Sequence, residues 1–280
     1  METERLNSLL KWSKENGSII DDSIEFKIDV VNGVHATLTN SGKIDSLNDK
    51  KLISIPSDLL ITKKLASEAF GDETVEIQIS NPNALTQLYL CQLKFQTVSQ
   101  SETLLSKQKF FKSYLDTLPI HLTHPYFWSK ENIEFLKKTD IFVIVKQNLT
   151  NLINEWRAIL KVTKSKPFND DLDNFLFQND RDLNNEVTLN IVFDYIQLSL
   201  KRLNEDTQLI HWNSFFAYLW SFCIFNSRAF PEIVMNSDCE NINQAFLMPI
   251  IDLLNHKNDT KTRWTLSLIH ISEPTRRSYI

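Results

Sequence analysis

The stretch from His211 to Ser227 contains no formally charged side chain and is dominated by aromatic and aliphatic residues. Such a segment has to leave water, either in a membrane or in the core of a protein. It falls short of the roughly 20 apolar residues that a membrane-crossing helix requires. It is also interrupted by five polar residues, which are Asn213, Ser214, Ser221, Asn226 and Ser227. We therefore predict a fully buried helix, around which the rest of the chain must supply a core.

The beginning of the chain combines one helix with short strands. Residues 3–16 are predicted to be helical, because apolar residues recur at near-helical spacing and Asn16-Gly17 supplies a stop signal. Three β-rich segments follow, SIEFKIDVV, VHATLT and LISIP, with turn signals at Asn32-Gly33 and Ser41-Gly42.

From Pro56 onwards the pattern is mainly helical. Pro56-Ser57-Asp58 predicts the cap of a helix that runs through Leu60 and Leu65. Residues 84–96 predict a buried helix. Further helices are predicted from the segments NIEFLKK, DIFVIVKQNLTNLINEWRAILKV and LNIVFDYIQLSLKRL. The strands, these helices and the buried aromatic helix together predict an α+β fold.

A strongly acidic segment, SKPFNDDLDNFLFQNDRDLNNE, is predicted to be a linker between two of these helices. Its acidic residues are Asp170, Asp171, Asp173, Asp180, Asp182 and Glu186. One interpretation is that they attract a basic protein through their charge. We favour the simpler interpretation of a solvated loop.

Composition excludes several classes of protein. The four glycines are too few and too scattered for a GxGxxG or Walker-type phosphate loop. A net charge of -5 argues against a general nucleic-acid binder. The three cysteines are widely spaced and suggest no disulfide framework. Since the N-terminus METERLNSLLKW also lacks the shape of a signal peptide, we predict a cytoplasmic protein, with the nucleus as the alternative.

Two other kinds of site are not supported by residue spacing. His121, His124 and His211 with Cys223 match no zinc signature, so no metal is predicted. Ser227 lacks the G-x-S-x-G context of a hydrolase nucleophile.

Two short motifs follow the buried helix: Ser227-Arg228-Ala229-Phe230, and PIIDLLNH at 249–256. An SRxF motif followed by PxxDxxNH resembles the cofactor-binding core of SET-domain protein-lysine methyltransferases. The chain is most similar to the Rubisco-methyltransferase-like class, and within it to fungal ribosomal lysine N-methyltransferases. The similarity lies chiefly in W-S-x-x-I-F-x-S-R-A-F-P-E and L-x-P-I-x-D-L-L-N-H, with a looser match at IPxxLxIT, residues 55–62.

The resemblance implies that S-adenosyl-L-methionine is the methyl donor and that a lysine of a large-subunit ribosomal protein is the acceptor. Asn255 would bind the methionine end of the cofactor, and the backbone of His256 would meet its adenine. Arg228 would contact the cofactor carboxylate, or would serve only as a structural ion pair with Asp252. Asp252 would orient Arg228 or the chain crossing at the NH motif. Gly33 stands where many relatives carry a G-R-G loop that binds the cofactor through its backbone.

The resemblance also predicts a division of the chain into a β-rich SET domain split by a helical insertion. Residues 1–100 would form the N-terminal half of the SET domain, 101–206 the insertion, and 207–265 an incomplete C-terminal core. Residues 266–280 include LSLIHISEPTR, which looks like a translated sequencing adapter, so we interpret them as a non-native tail. The family's catalytic tyrosine follows the NH motif in a YG-like segment that is missing here. We therefore assign no catalytic residue and expect an inactive fragment.

The alternative function is a non-catalytic SET-like module that recognises a protein through its helical insertion. In both interpretations the expected partner is a protein. Neither a membrane nor direct contact with nucleic acid is expected.

Overall fold

The computed structural model describes residues 2–29, 33–39, 51–71, 79–97, 101–167, 171–178, 183–236, 239 and 241–254. These residues form two compact units. The strand unit draws its described residues from Met1–Ile61, Phe111–Thr117 and Arg228–Ile280, and the helical unit from Thr62–Phe110 and Leu118–Ser227. The division predicted from the family resemblance, with boundaries at 100, 206 and 265, stays a prediction.

The strand unit contains one helix and three antiparallel pairs of short strands among its described residues. The helix is α1 (Glu2–Glu15), and the strands are β1 (Ile19–Ile20), β2 (Ile24–Asp29), β3 (Gly33–Leu38), β4 (Ile53–Ser54), β5 (Ala229–Pro231) and β6 (Ala245–Leu247). The pairs are β1 with β4, β2 with β3, and β5 with β6. The predicted β-rich beginning of the chain is confirmed.

Local sequence explains where these elements begin and end. Helix α1 ends at a glycine, Gly17, whose φ of 90° suits a residue without a Cβ. The N–H of Ser18 donates to the carbonyl of Ser13 at 3.0 Å, and that of Gly17 donates to Lys14 at 3.1 Å. These two bonds satisfy carbonyls at the end of the helix, as in a Schellman motif. The stop predicted at Asn16-Gly17 is confirmed.

The helix predicted from Pro56 through Leu65 is wrong in its first half. Residues Ser57–Leu59 form only a short 3-10 turn. Ile61 is instead held extended by two backbone hydrogen bonds to Leu247, at 3.1 and 3.0 Å. Pairing with β6 overrides the local helical signal, and the next helix starts only at Lys63, after the Thr62 cap.

The helical unit is built almost entirely from helices. They are α2 (Lys63–Phe70), α3 (Ala84–Phe95), α4 (Glu102–Leu115, whose last turn belongs to the strand unit), α5 (Lys130–Glu134), α6 (Asp140–Val162), α7 (Asp171–Gln178), α8 (Glu186–Glu205) and α9 (Phe215–Arg228). The helices predicted at 84–96 and from the DIFV and LNIV segments correspond to α3, α6 and α8. No helix of the described residues is long and apolar enough to cross a membrane.

Helix α9 is the predicted aromatic helix, and it lies in the core of the helical unit. Ten of its side chains, from Phe215 to Phe225, are buried. The Trp220 indole donates to the carbonyl of Pro119 at 2.9 Å. The Phe95 ring packs edge-on against the indole, with ring centroids 5.0 Å apart. The prediction of a buried helix is therefore confirmed for Phe215–Phe225, in which only Phe222 is half-buried. Residues 211–214 precede the helix, and Asn226 and Ser227 are exposed.

The acidic segment is not simply a solvated linker. It contains α7, and within that helix Asp173 is only 3% exposed. One carboxylate oxygen of Asp173 accepts hydrogen bonds from the hydroxyl of Tyr195 at 2.7 Å and from the backbone N–H of Phe215 at 2.9 Å. Asp173 thus supplies an acceptor at the first turn of α9. The solvated-loop prediction is wrong for Asp173, which is buried. Asp171 and Glu186 are exposed to solvent, but they are the first residues of α7 and α8 and not part of a loop. The remaining three acidic residues lie outside the described residues.

Replacing Asp173 with alanine is expected to lower the free energy of unfolding by about 2–4 kcal/mol, because two buried donors lose their acceptor. Asp173→Asn keeps one carbonyl oxygen and should lose less. Asp171→Ala, an exposed change on the same helix, is the matched control. Urea unfolding of the three variants measures the effect, and equal losses for Asp173→Ala and Asp171→Ala would contradict it.

Candidate functional site

The strand unit brings together three polar residues from distant parts of the sequence. Arg228 is the last residue of α9, Asp252 lies in a 3-10 turn (Ile251–Leu253) after β6, and Tyr114 lies in the last turn of α4. Nη1 of Arg228 is 3.2 Å from Oδ2 of Asp252 and also donates to its backbone carbonyl at 3.4 Å. The Tyr114 hydroxyl donates to the same Oδ2 at 2.9 Å. We call these three residues the Asp252 cluster.

The backbone before Asp252 is in a rarely occupied conformation. Ile250 is fully buried and has φ 73° and ψ -51°, which is unfavourable for a β-branched residue. Such strain costs on the order of 1–3 kcal/mol and persists only where the surrounding structure enforces it. The N–H of Leu253 donates to the carbonyl of Ile250 at 3.2 Å, and that of Asp252 donates to Met248 at 3.2 Å. This tight turn fixes the direction of the Asp252 side chain.

The electrostatics of the Asp252 cluster follow from burial. The Asp252 side chain has no exposed surface, and burial raises the pKa of its carboxyl group despite the opposing effects of Arg228 and of the hydrogen bond from Tyr114. Burial also raises the pKa of Tyr114 well above its usual value, with a further contribution from Asp252. Tyr114 therefore stays protonated and donates. Oδ1 of Asp252 has no hydrogen-bond partner among the described residues.

Arg228 is the one member of the Asp252 cluster whose side chain is partly exposed to solvent. Its side chain is 21% exposed. Within the described part of the chain all of its hydrogen bonds pass through Nη1, so Nε and Nη2 keep their donors for another acceptor. The predicted ion pair with Asp252 is confirmed. The predicted contact with a cofactor carboxylate stays a prediction.

Gly33 begins β3, a strand that contacts the turn containing Asp252. Its φ is 61°, and a Cβ at this position would meet no described atom within 4 Å. The backbone conformation, rather than lack of space, therefore favours glycine here. Its predicted role in cofactor binding stays a prediction. Asn255 and His256 follow the turn directly in sequence but lie outside the described residues, so their predicted roles also remain open.

Sequence reasoning missed Tyr114. It stands in an ordinary amphipathic helix, far from either motif in the sequence, and no residue spacing marks it. Its one signal is chemical, since a fully buried tyrosine needs a partner for its hydroxyl group. Phe230 of the SRAF motif is half-buried and packs against the buried ring of Phe246, with ring centroids 6.2 Å apart. No group of three histidine, cysteine or acidic residues suited to a metal occurs in the described ranges.

The chain resembles three curated fungal proteins over almost its whole length. It is 39% identical over 266 residues to Protein-lysine N-methyltransferase EFM1 of Saccharomyces cerevisiae, covering 94% of this chain and 43% of that protein. Ribosomal lysine N-methyltransferase 1 of the same yeast is 29% identical over 272 residues, covering 94% and 42%. Ribosomal lysine N-methyltransferase set10 of Schizosaccharomyces pombe is 22% identical over 260 residues, covering 92% and 38%. The chain thus spans less than half the length of these relatives, and no family model matches it.

The fold is similar to that of a solved SET domain. The crystal structure of the SET domain of LSMT bound to lysine and AdoHcy matches with a TM-score of 0.52 and 17% sequence identity. The match covers 93% of this chain and 45% of that one. At this level of identity the likeness concerns the fold, and it confirms the predicted α+β SET-domain class.

The stability of the folded chain is expected to depend on pH through Asp252. Because its pKa is raised on folding, the folded state holds the carboxyl proton more tightly than the unfolded state does. The free energy of unfolding, taken relative to Asp252→Asn, should therefore fall as pH rises from the unfolded-state pKa of about 3.9 through the folded-state pKa. Urea unfolding of both chains from about pH 4 to pH 7 measures this difference. A difference that grows with pH would contradict it.

Proposed function

The chain is a homologue of fungal protein-lysine N-methyltransferases with the fold of a SET domain, and from that premise we propose that the protein transfers a methyl group from S-adenosyl-L-methionine to a lysine of another protein. The observation that carries the proposal is the contact between the two motifs. Arg228 of SRAF and Asp252 of PIID, 24 residues apart, meet in one ion pair. The Arg228 side chain stays 21% exposed beside the buried carboxylate of Asp252, so it can still contact a ligand.

The residues of this site fit the methionine end of the cofactor. A guanidinium binds a carboxylate best with two parallel N–H groups, and Nε with Nη2 of Arg228 supplies such a pair. Asp252 accepts from the third guanidinium nitrogen, Nη1, so the guanidinium group is already oriented before a ligand binds. The family resemblance adds three further residues to the proposed site, Gly33, Asn255 and His256.

When bound, the cofactor supplies a methyl group on a positively charged sulfur. The acceptor lysine has to present a neutral amine, although its pKa in water is about 10.4. An apolar channel disfavours the ammonium form and aligns the nitrogen with the methyl group. The contribution of Arg228 and Asp252 is to position the donor rather than to take part in proton transfer.

We further propose a ribosomal protein of the large subunit as the substrate. Two of the relatives are named ribosomal lysine N-methyltransferases, at 29% and 22% identity. A net charge of -5 suits a basic substrate. The cytoplasm is the compartment we propose, because all three cysteines are free thiols, as expected of a reducing environment.

The full-length protein should transfer labelled methyl groups from S-adenosyl-L-methionine to lysines of isolated large-subunit ribosomal proteins. Mass spectrometry locates the label, and the same proteins with acetylated lysines serve as the control. Transfer to other basic proteins alone would contradict the ribosomal substrate. Cofactor binding without transfer to any protein would contradict the enzyme and favour a non-catalytic SET-like module.

Arg228 is expected to be responsible for recognition of the cofactor carboxylate. The wild-type chain should bind S-adenosyl-L-methionine roughly 30-fold more tightly than its decarboxylated form, as a charge-assisted hydrogen-bonded pair implies. Arg228→Ala should bind both ligands equally, and Arg228→Lys, which keeps a cation beside Asp252, should retain part of the preference. Isothermal titration calorimetry measures the affinity of each protein for both ligands, and the wild-type and Arg228→Ala values form a double-mutant-type cycle. Arg5→Ala, on the exposed face of α1, is the control, and a full preference that survives in Arg228→Ala would contradict the assignment.

A further inference from the structure

The helical unit contains a cavity of about 640 Å³ that is half open to solvent and includes no residue of the Asp252 cluster. Its volume lies within the range of small-ligand and side-chain binding sites. One side of helix α6 supplies most of the lining, together with the segment before α3 and one ring from α9. The lining includes Asn148, Asn151, Asn154, Glu155 and Phe222.

The charged group of this cavity, Glu155, is fixed by neutral donors. The Tyr218 hydroxyl and the side-chain amide of Asn81, at 2.8 Å, both donate to Oε1. Asn81 is itself held, because its amide also donates to Gln87 at 3.1 Å and its Oδ1 accepts from the N–H of Asn83. Burial, with Glu155 as the next cause, raises the pKa of Tyr218 well above its usual value, so this tyrosine remains a donor. The carboxylate is therefore oriented from two sides.

Glu155 has no cationic partner among the described residues, and the hydrogen bonds that fix it use Oε1 alone. A half-buried carboxylate with one oxygen still able to accept is a binding point for a cation. The side-chain amides of Asn148 and Asn151 add neutral polar groups at the same cavity, and the Phe222 ring adds an aromatic surface. The amide oxygen of Asn154, a third lining residue, already accepts from Arg157 at 3.2 Å.

This combination matches the chemistry of an arginine side chain. A guanidinium carries five donors in a plane, binds carboxylate and amide oxygens side by side, and packs against aromatic rings. It also loses hydration more readily than the ammonium group of lysine, which is a compact charge. A neutral ligand would offer the second oxygen of Glu155 only a weaker hydrogen bond than a charged donor does.

We infer that the Glu155 cavity binds an arginine side chain of the protein substrate and so contributes to docking that substrate on the helical unit. The part of this inference that concerns binding of a guanidinium rests on the structure of the helical unit alone. The identity of the protein that carries the arginine rests on the proposed function.

A peptide titration tests the cavity directly. The probes are acetyl-Gly-Arg-Gly-amide, its citrulline analogue, which has the same shape without charge, and its lysine analogue. NMR of the full chain follows the side-chain amide signals of Asn148, Asn151 and Asn154. These signals should shift with the arginine peptide, shift much less with the lysine peptide, and stay unchanged with the citrulline peptide.

The matched variants are Glu155→Gln and Glu131→Gln. Glu155→Gln keeps an oxygen that can accept from Tyr218 and Asn81, so it removes the charge while preserving the internal hydrogen bonds. It should weaken binding of the arginine peptide at least about fivefold. Glu131→Gln makes the same charge change on α5, away from the cavity lining, and should bind like the wild type. Equal binding of the arginine and citrulline peptides, or unaltered binding by Glu155→Gln, would overturn the inference, and equal binding of the lysine peptide would overturn its choice of arginine.

Methylation kinetics separate this inference from the proposed function. With the full-length protein, Glu155→Gln should raise KM for the protein substrate and leave kcat and KM for S-adenosyl-L-methionine unchanged. An effect on kcat alone would contradict a docking role. If the wild-type protein transfers no methyl group, the proposed function fails, while the peptide titration still decides whether the cavity binds arginine.

Discussion

The burial of the Asp252 carboxylate is the constraint on which the candidate site depends. A charge without access to water has to be paired and hydrogen-bonded, or the fold pays several kcal/mol for it. Arg228 and Tyr114 meet that requirement from the ends of two helices. The strained backbone at Ile250 directly precedes the turn that carries Asp252. One carboxylate thereby fixes the relative positions of the end of α9, the end of α4 and the turn that leads into the NH motif.

In the helical unit, too, carboxylates accept hydrogen bonds from the hydroxyl groups of buried tyrosines. Tyr195 donates to Asp173, and Tyr218 donates to Glu155. In each case burial is the main cause that raises the pKa of the tyrosine well above its usual value, so the hydroxyl stays a donor. The two carboxylates have different roles. The Asp173 oxygen that accepts from Tyr195 also accepts from a backbone N–H in the first turn of α9. Glu155 instead lines a cavity, and for that reason we propose that it binds a side chain of a partner protein.

Much of the fold could be predicted from sequence, because periodicity and capping residues act locally. The charge-free stretch that became α9 and the glycine that ends α1 are examples. The pairing of Arg228 with Asp252 was one of two interpretations, since both residues belong to recognisable motifs. Tyr114, the acceptor role of Asp173 and the conformation of Ile250 could not be predicted, because each depends on residues distant in sequence. The extended backbone at Ile61 overrode a local helix signal for the same reason.

The most direct test of the central claim is a crystal structure of the full-length protein with S-adenosyl-L-homocysteine. We predict that the ligand carboxylate lies against Nε and Nη2 of Arg228, while Nη1 stays on Oδ2 of Asp252 and the Tyr114 hydroxyl keeps its hydrogen bond to that Asp252 oxygen. A ligand carboxylate bound elsewhere, or an Arg228 that leaves Asp252 to reach the ligand, would contradict it.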